Sequence, residues 1–307
     1  MKQSVSRRTV LAAGAGWLGQ SRLVRAADES TGKPRTKVAI FSKHLQFLHG
    51  EELANGAAEI GFDSIDITVR KGGHVEPERV RQELPGLVAT IRRRGLEVPM
   101  ITTDIVDTET PHTEEILKTM ADLGIRYYRW GGLKYSGETP YAEQLAAMKP
   151  RIARLAAMNA RYQASAMYHT HSGTGVVGAS IWDLYILLKD FDPKAVGVNY
   201  DIGHATIEGG IGGWINSYRI CGPYVRGIAV KDFVWAKDAK GNWREQWKPI
   251  GEGMVHFPQF FGMVAQSGFA GPLQVHFEYP LGGPQETYTA MKRDLAKLRG
   301  YLLQAGL

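Results

Sequence analysis

Cysteine is almost missing from this chain: Cys221 stands alone among 307 residues. No disulfide can form within the chain even in an oxidising compartment, so stability has to come from a buried core. A long apolar run is missing as well. The weakly apolar stretch near the start is short and Gly-rich, which excludes a bilayer span and with it stable membrane insertion. No Gly-rich nucleotide fingerprint follows the first strand-like segment, which counts against an open dinucleotide-binding sheet. No domain-sized linker or low-complexity tract breaks the chain. Basic excess is scarcer than the formal net charge of +6 suggests. Residues 1–26 hold Lys2, Arg7, Arg8, Arg22 and Arg25 and no acid, so the rest of the chain carries only +1. No basic stripe remains to hold nucleic acid.

That basic start has an order of its own. Ser6-Arg7-Arg8-Thr9-Val10-Leu11 leads into an Ala/Gly/Leu/Trp segment and then Val24-Arg25-Ala26-Ala27. Paired arginines, a modest apolar run and small residues near a cleavage point describe a twin-arginine signal peptide over 1–26. A linker over 27–36 and a folded domain over 37–307 follow, and the expected location is periplasmic or secreted.

Along that domain, short β-rich runs alternate with amphipathic segments. The candidate strands are 37–42, 64–69, 97–103, 126–130, 162–169, 196–201, 226–232 and 272–278. Helical patterns include 77–94, 113–123, 141–159, 180–190, 257–266 and 285–304. Eight strand–helix units predict an α/β fold closed as a single (β/α)8 TIM barrel, a fold of roughly 250 residues. Residues 205–213 and 234–256 read as long loops after strands, on the rim where such barrels place their active sites. Barrels often pair through outer helices, so an oligomer is possible, although no outer face is distinctive.

Polar and titratable residues gather at or just beyond the carboxyl ends of these strands. They are Lys43 and His44, Arg70 and His74, Thr103 and Asp104, Arg129 and Trp130, His169 and His171, Asp201 and His204, Lys231 and Asp232, and His276 and Glu278. Six of the nine histidines fall there, where scattered solvation would spread them over outer helix faces. His169 and His171 share one strand face, as do His276 and Glu278. Imidazole and carboxylate together suit one divalent ion of Zn, Mn, Co or Fe better than Ca or Mg.

Tyr168-His169-Thr170-His171, Tyr200-Asp201-Ile202-Gly203-His204, Val230-Lys231-Asp232, Gly251-Glu252-Gly253, and Gly271-Pro272 leading into His276-Phe277-Glu278 occur in this order. With them the chain resembles the xylose isomerase-like barrel superfamily of sugar phosphate isomerases and epimerases, which also holds the endonuclease IV type of repair enzyme. The resemblance implies a metal held by a Glu, an Asp, a His and a second Glu from the last four strand ends, with the glutamates moving the proton. Here the Asp is Asp201, and His204 takes the place of a substrate-contacting histidine. His169 stands at the first Glu position, Ala229 at the His, and His276 at the second Glu, with Glu278 two residues on. Three of the four ligand positions therefore depart from the pattern, and the set left to hold metal is His169, Asp201 and His276.

The chemistry that fits is removal of a proton beside a metal-polarised sugar carbonyl, giving an enediolate. Glu278 and His171 are candidate bases, with His276 a third that its ligand role would preclude. Lys231 could stabilise the enediolate oxygen, or simply pair with Asp232 or another carboxylate. Arg70, His74 and Lys43 could hold substrate groups, and Trp130, Trp182, Trp214 and Trp235 offer faces for sugar stacking. Export makes a phosphorylated substrate less fitting than an unphosphorylated or oxidised (keto) sugar. The expectation is thus a metal-dependent isomerase or epimerase of a small-molecule carbohydrate. The alternatives are a lyase or hydrolase of keto-glycosides and a non-catalytic carbohydrate-binding barrel.

Overall fold

A computed structural model describes residues 36–307. The expected signal peptide over 1–26 lies outside the described residues, as does nearly all of the expected linker. The first apolar run forms strand β1 (Val38–Phe41), followed by α1 (Gly50–Ile60), β2 (Ser64–Val69) and α2 (Val80–Arg93). Then come β3 (Met100–Thr103), α3 (Thr113–Asp122), β4 (Tyr127–Trp130), α4 (Tyr141–Arg161), β5 (Ser165–His169) and α5 (Trp182–Leu188). The last part holds β6 (Val196–Asp201), α6 (Ile202–Cys221), β7 (Val225–Val230), a hairpin of β8 (Asp232–Lys237) and β9 (Trp243–Lys248), α7 (Phe257–Gln266), β10 (Leu273–Val275) and α8 (Pro284–Gln304). Strands β1–β7 and β10 pair in parallel and close into a barrel, β10 joining β7 to β1. No helix of the described residues is long and apolar enough to cross a membrane.

Parallel strands covered by helices bury both faces, which is why β2, β5 and β6 are buried at every position. The lumen is not purely apolar. Asp66, Thr68, Thr102, Asn199 and Gln274 are buried inside it, and several bond to one another across strands, as Thr102 Oγ1 does to Asp66 Oδ2 at 2.8 Å. At the other end of the barrel, a Cβ on Gly271 would collide with the Arg226 carbonyl oxygen, so the entry to β10 needs glycine.

Four segments differ from the sequence expectation. Residues 205–213 are not a loop but part of α6, which starts because Asp201 caps it by accepting from the His204 N–H at 3.0 Å. The Gly-rich run is absorbed as a break at Gly210, with φ 55° and ψ −142°. Likewise 234–256 begins with the rest of the β8–β9 hairpin, whose strands pair antiparallel from Asp232–Lys248 to Lys237–Trp243. Helix α1 also went unmarked by periodicity. The expected strand over 162–169 starts only at Ser165, since α4 runs on to Arg161 and Gln163 turns the chain with φ 54°.

The hairpin's base is held by Asp232. Its carboxylate accepts backbone N–H groups from Phe233, Gly251, Gly253 and Val255 at 2.9–3.1 Å. That engagement rules out the Lys231–Asp232 pair considered from sequence. Asp232→Ala strands these buried donors, and an unfolding free energy lower by about 3 kcal/mol is expected in urea titration, with the barrel's far-ultraviolet spectrum retained.

Candidate functional site

Strand ends β5, β6, β7 and β10 bring four segments to one place. His169 ends β5, Asp201 ends β6, Lys231 follows β7, and His276 with Glu278 follows β10. Their orientation is locked from beside and below. The Asn199 amide lies 3.1 Å from His169 Nδ1, the Thr170 hydroxyl receives the Asp201 N–H at 2.9 Å, and Gln274 Oε1 lies 3.3 Å from His276 Nε2. Phe41 stacks on His276 with centroids 4.7 Å apart.

Among the described residues, His169, Asp201 and His276 bring one donor atom each to within 4.8 Å of one another. His169 Nε2 and Asp201 Oδ2 face each other at 3.5 Å; Nε2 is buried without a hydrogen-bond partner, and buried Oδ2 has only the Lys231 ammonium at 3.1 Å. A buried imidazole nitrogen is rarely left so, and its convergence with a carboxylate oxygen in a cluster of N and O donors fits a divalent cation. A half-turn of the Asn199 amide would let its oxygen accept Nδ1–H, leaving Nε2 of His169 as a lone-pair donor. Gln274 fixes His276 in the same sense, by accepting from its Nε2.

Lys231 sits at the edge of this cluster. Its Nζ is 3.1 Å from Asp201 Oδ2, 2.8 Å from His204 Nε2 and 4.5 Å from the centre of the Trp247 ring. His204 passes its other nitrogen to the Ser172 hydroxyl at 2.8 Å. Thus a chain of contacts runs Asp201, Lys231, His204, Ser172. Glu278 lies opposite, its Oε1 3.9 Å from His276 Nδ1 and its Oε2 3.6 Å from Lys43 Nζ.

Burial and positive neighbours keep the imidazoles neutral. His171 is pushed down to about 3 by burial and then Arg129, and His204 to about 2 by burial and then Lys231. Burial also holds His169 and His276 well below the ordinary imidazole value, and His44 falls to about 3. Burial lifts the Asp201 carboxyl, with Lys231 opposing. At Glu278 burial also pushes upward, but Lys231, Lys43 and His44 outweigh it and hold the carboxyl below its ordinary value. Neutral imidazoles beside a carboxylate are the protonation states that metal binding requires.

Above the cluster opens a pocket of about 380 Å³, lined by residues that include Lys43, Arg70, Arg129, His171, Trp247 and Glu278. Lys231, His169, His204 and His276 also reach it. Two expected substrate residues do not. His74 is locked between Thr68 Oγ1 at 3.0 Å and the Leu48 carbonyl at 3.1 Å, which makes it a brace for its loop. Trp130 is fully buried, edge-on to Tyr168, with its indole N–H spent on the Val106 carbonyl at 2.8 Å. It borders only a smaller annex of about 210 Å³ beside Arg129 and His171. Of the other tryptophans considered, Trp214 is core, while Trp182 and Trp235 are partly exposed away from the pocket lining.

A family model for the xylose isomerase-like TIM barrel matches residues 55–299. The chain belongs to that family. Solved structures agree in fold. A xylose isomerase-like TIM barrel protein from Mycobacterium smegmatis in complex with magnesium is 17% identical, covering 87% of this chain and 97% of its own with a TM-score of 0.63. The 3-keto-D-glucoside 4-epimerase from E. coli is 15% identical, over 87% and 100% of the two chains, with a TM-score of 0.64. A structure of the IOLI protein with a bound zinc atom is 13% identical, over 87% and 99%, with a TM-score of 0.69. Among curated protein sequences no match is found.

Within this family barrel, sequence reasoning missed Trp247 and Glu245, which both line the pocket from β9. The signal was present: Trp243, Glu245 and Trp247 alternate along one strand face, a period-two pattern hidden inside a segment taken for loop.

The depressed histidines set a pH dependence. Between about pH 6.5 and 3 the unfolded chain takes up protons that these folded imidazoles refuse, so stability falls as pH drops through that window. Asp66, pushed up to about 7 by burial, works in the other direction, losing stability for the fold as pH rises from about 4 to 7. With five histidines against it, urea unfolding of chelated protein should show a net loss from pH 7 to 5.5, on the order of 1 kcal/mol per histidine. A flat profile would refute the neutral cluster.

Proposed function

We propose that this chain moves a proton at the carbon beside a sugar carbonyl, acting as an isomerase or epimerase with a divalent metal held by His169, Asp201 and His276. The observation that carries this is the convergence of His169, Asp201 and His276 donor atoms within 4.8 Å on the floor of a polar pocket, with buried His169 Nε2 left without a hydrogen-bond partner. Two imidazoles and one carboxylate favour Zn, Mn, Co or Fe. When bound, such an ion would polarise the sugar's carbonyl and acidify the neighbouring C–H.

The chain's own groups supply the rest. Glu278, anionic and at the pocket wall, takes and returns the proton. Lys231, anchored by Asp201 and His204, places positive charge where oxygen becomes negative. His171 stands across from Glu278 as a second proton-transfer group, and the Trp247 face covers the apolar side of a sugar ring. An unphosphorylated or oxidised sugar fits the export signal expected over residues 1–26. The fold's likeness to a 3-keto-D-glucoside 4-epimerase is consistent with a keto-sugar.

A second reading, elimination of an aglycone from a keto-glycoside, draws on Glu245, a carboxyl reaching the pocket from the hairpin and so available to protonate a leaving group. Both readings begin with the same proton removal.

Elemental analysis of the full-length protein and its variants tests the metal, and deuterium uptake by a panel of keto-sugars and keto-glycosides tests the chemistry. His169→Ala and His276→Ala should each lose bound metal. Glu278→Gln should keep it while slowing exchange by about 100- to 10,000-fold. Full metal content in both histidine variants would sink the ligand set. Released aglycone without exchange into recovered substrate would select elimination.

A further inference from the structure

The charges lining the pocket do not balance, and the imbalance has an address. Four cations reach it: Lys43, Arg70, Arg129 and Lys231. The two lysines are matched, Lys231 by Asp201 at 3.1 Å and Lys43 by Glu278 at 3.6 Å. The two arginines are not: among the described residues neither has an acidic oxygen within ion-pair distance. Arg129 meets only a neutral imidazole, with Nη2 3.4 Å from His171 Nε2. Arg70 lies over the Phe41 ring at 5.7 Å. Burial lowers the Arg129 guanidinium below its ordinary value, and Arg70 is the next cause, so the two forks repel each other across the pocket. Asp66 lies beneath them, but burial pushes its carboxyl up to about 7; Asp104 lines only the annex, and Asp201, which Arg129 also feels, is held by Lys231 and the helix cap. Glu245, the remaining acid of the lining, comes from the hairpin above.

From this geometry we infer that the substrate carries a carboxylate, bound between Arg70 and Arg129 at the ends of β2 and β4, across the pocket from Lys231. The substrate class is therefore a sugar acid, such as a uronate or its keto form. Two unpaired guanidinium forks are suited to the planar, bidentate geometry of a carboxylate. A phosphate in this fold is usually received by backbone N–H groups of the last βα loops and a helix N-terminus, and neither arginine lies there. The inference rests on the proposed proton-transfer reading for the reacting end of the sugar, and adds what holds the other end.

The test is calorimetric binding to the full-length, zinc-loaded protein, using D-glucuronate and D-galacturonate against D-glucose, D-galactose and D-glucose 6-phosphate. The uronates should bind at least about tenfold more tightly than their neutral counterparts, and added salt should weaken them selectively. Arg70→Gln should erase that preference while leaving zinc content unchanged, and Arg70→Lys should restore part of it. Arg129→Gln should act alike if it folds, and Arg70 alone decides the matter if it does not. Equal or tighter binding of neutral sugars, tighter binding of the 6-phosphate, or no uronate binding at millimolar concentration overturns the inference. Deuterium uptake by neutral keto-sugars without any uronate preference removes this inference and leaves the proton-transfer reading standing. Uronate binding without exchange into any keto-sugar does the reverse.

Discussion

The rest of the site depends on one buried carboxylate. Asp201 ends β6, caps α6 through the His204 N–H, faces His169 across 3.5 Å and holds Lys231 at 3.1 Å. A carboxylate in such a place is costly unless positive charge and N–H donors surround it. The strand ends of β5 and β7 and the first turn of α6 are therefore arranged around its two oxygens. One oxygen is committed to the helix cap. The other is the only part of the cluster over which an ammonium and a divalent ion would compete, so the charge of Lys231 tunes how strongly any metal is held.

Around that carboxylate the fold separates its polar residues by depth. Neutral imidazoles form the floor, fixed by Asn199 and Gln274 from within the lumen. Above them stand paired lysines, and at the far wall are the two arginines without acidic partners. Such layering follows from strand geometry: residues two apart on a barrel strand climb the same wall, so His169 and His171, or His276 and Glu278, sit at successive heights. A substrate entering this pocket meets charge first and polarisable, proton-neutral donors last.

Much of this was legible in the sequence. Seven of the eight barrel strands fall within the β-rich runs and β7 starts one residue ahead of its run, while the converging histidines, Asp201, Lys231 and Glu278 stand out by their place at strand ends. The rest was hidden for physical reasons. The glycines of 205–213 advertise a loop, yet a capped helix tolerates them by breaking once, at Gly210. His74 and Trp130 carry the right chemistry at the right strand ends, but a lateral carbonyl satisfies each, and sequence does not show which polar tip finds a partner inside the protein. Trp247 and Glu245 were overlooked because their strand has no partner in the barrel and pairs only with the segment just before it.

That hairpin has one more consequence. Its base is tied down by Asp232, whereas its far end makes its turn over Asp238 and Asn242 within the hairpin itself. Insertions, deletions or wholesale exchange at the tip, between Lys237 and Trp243, would leave the barrel cluster and Trp247 in place. What covers the pocket from above and what anchors a ligand at the strand ends thus lie on separate pieces of the chain, so a few residues of ribbon can be replaced without disturbing the barrel groups.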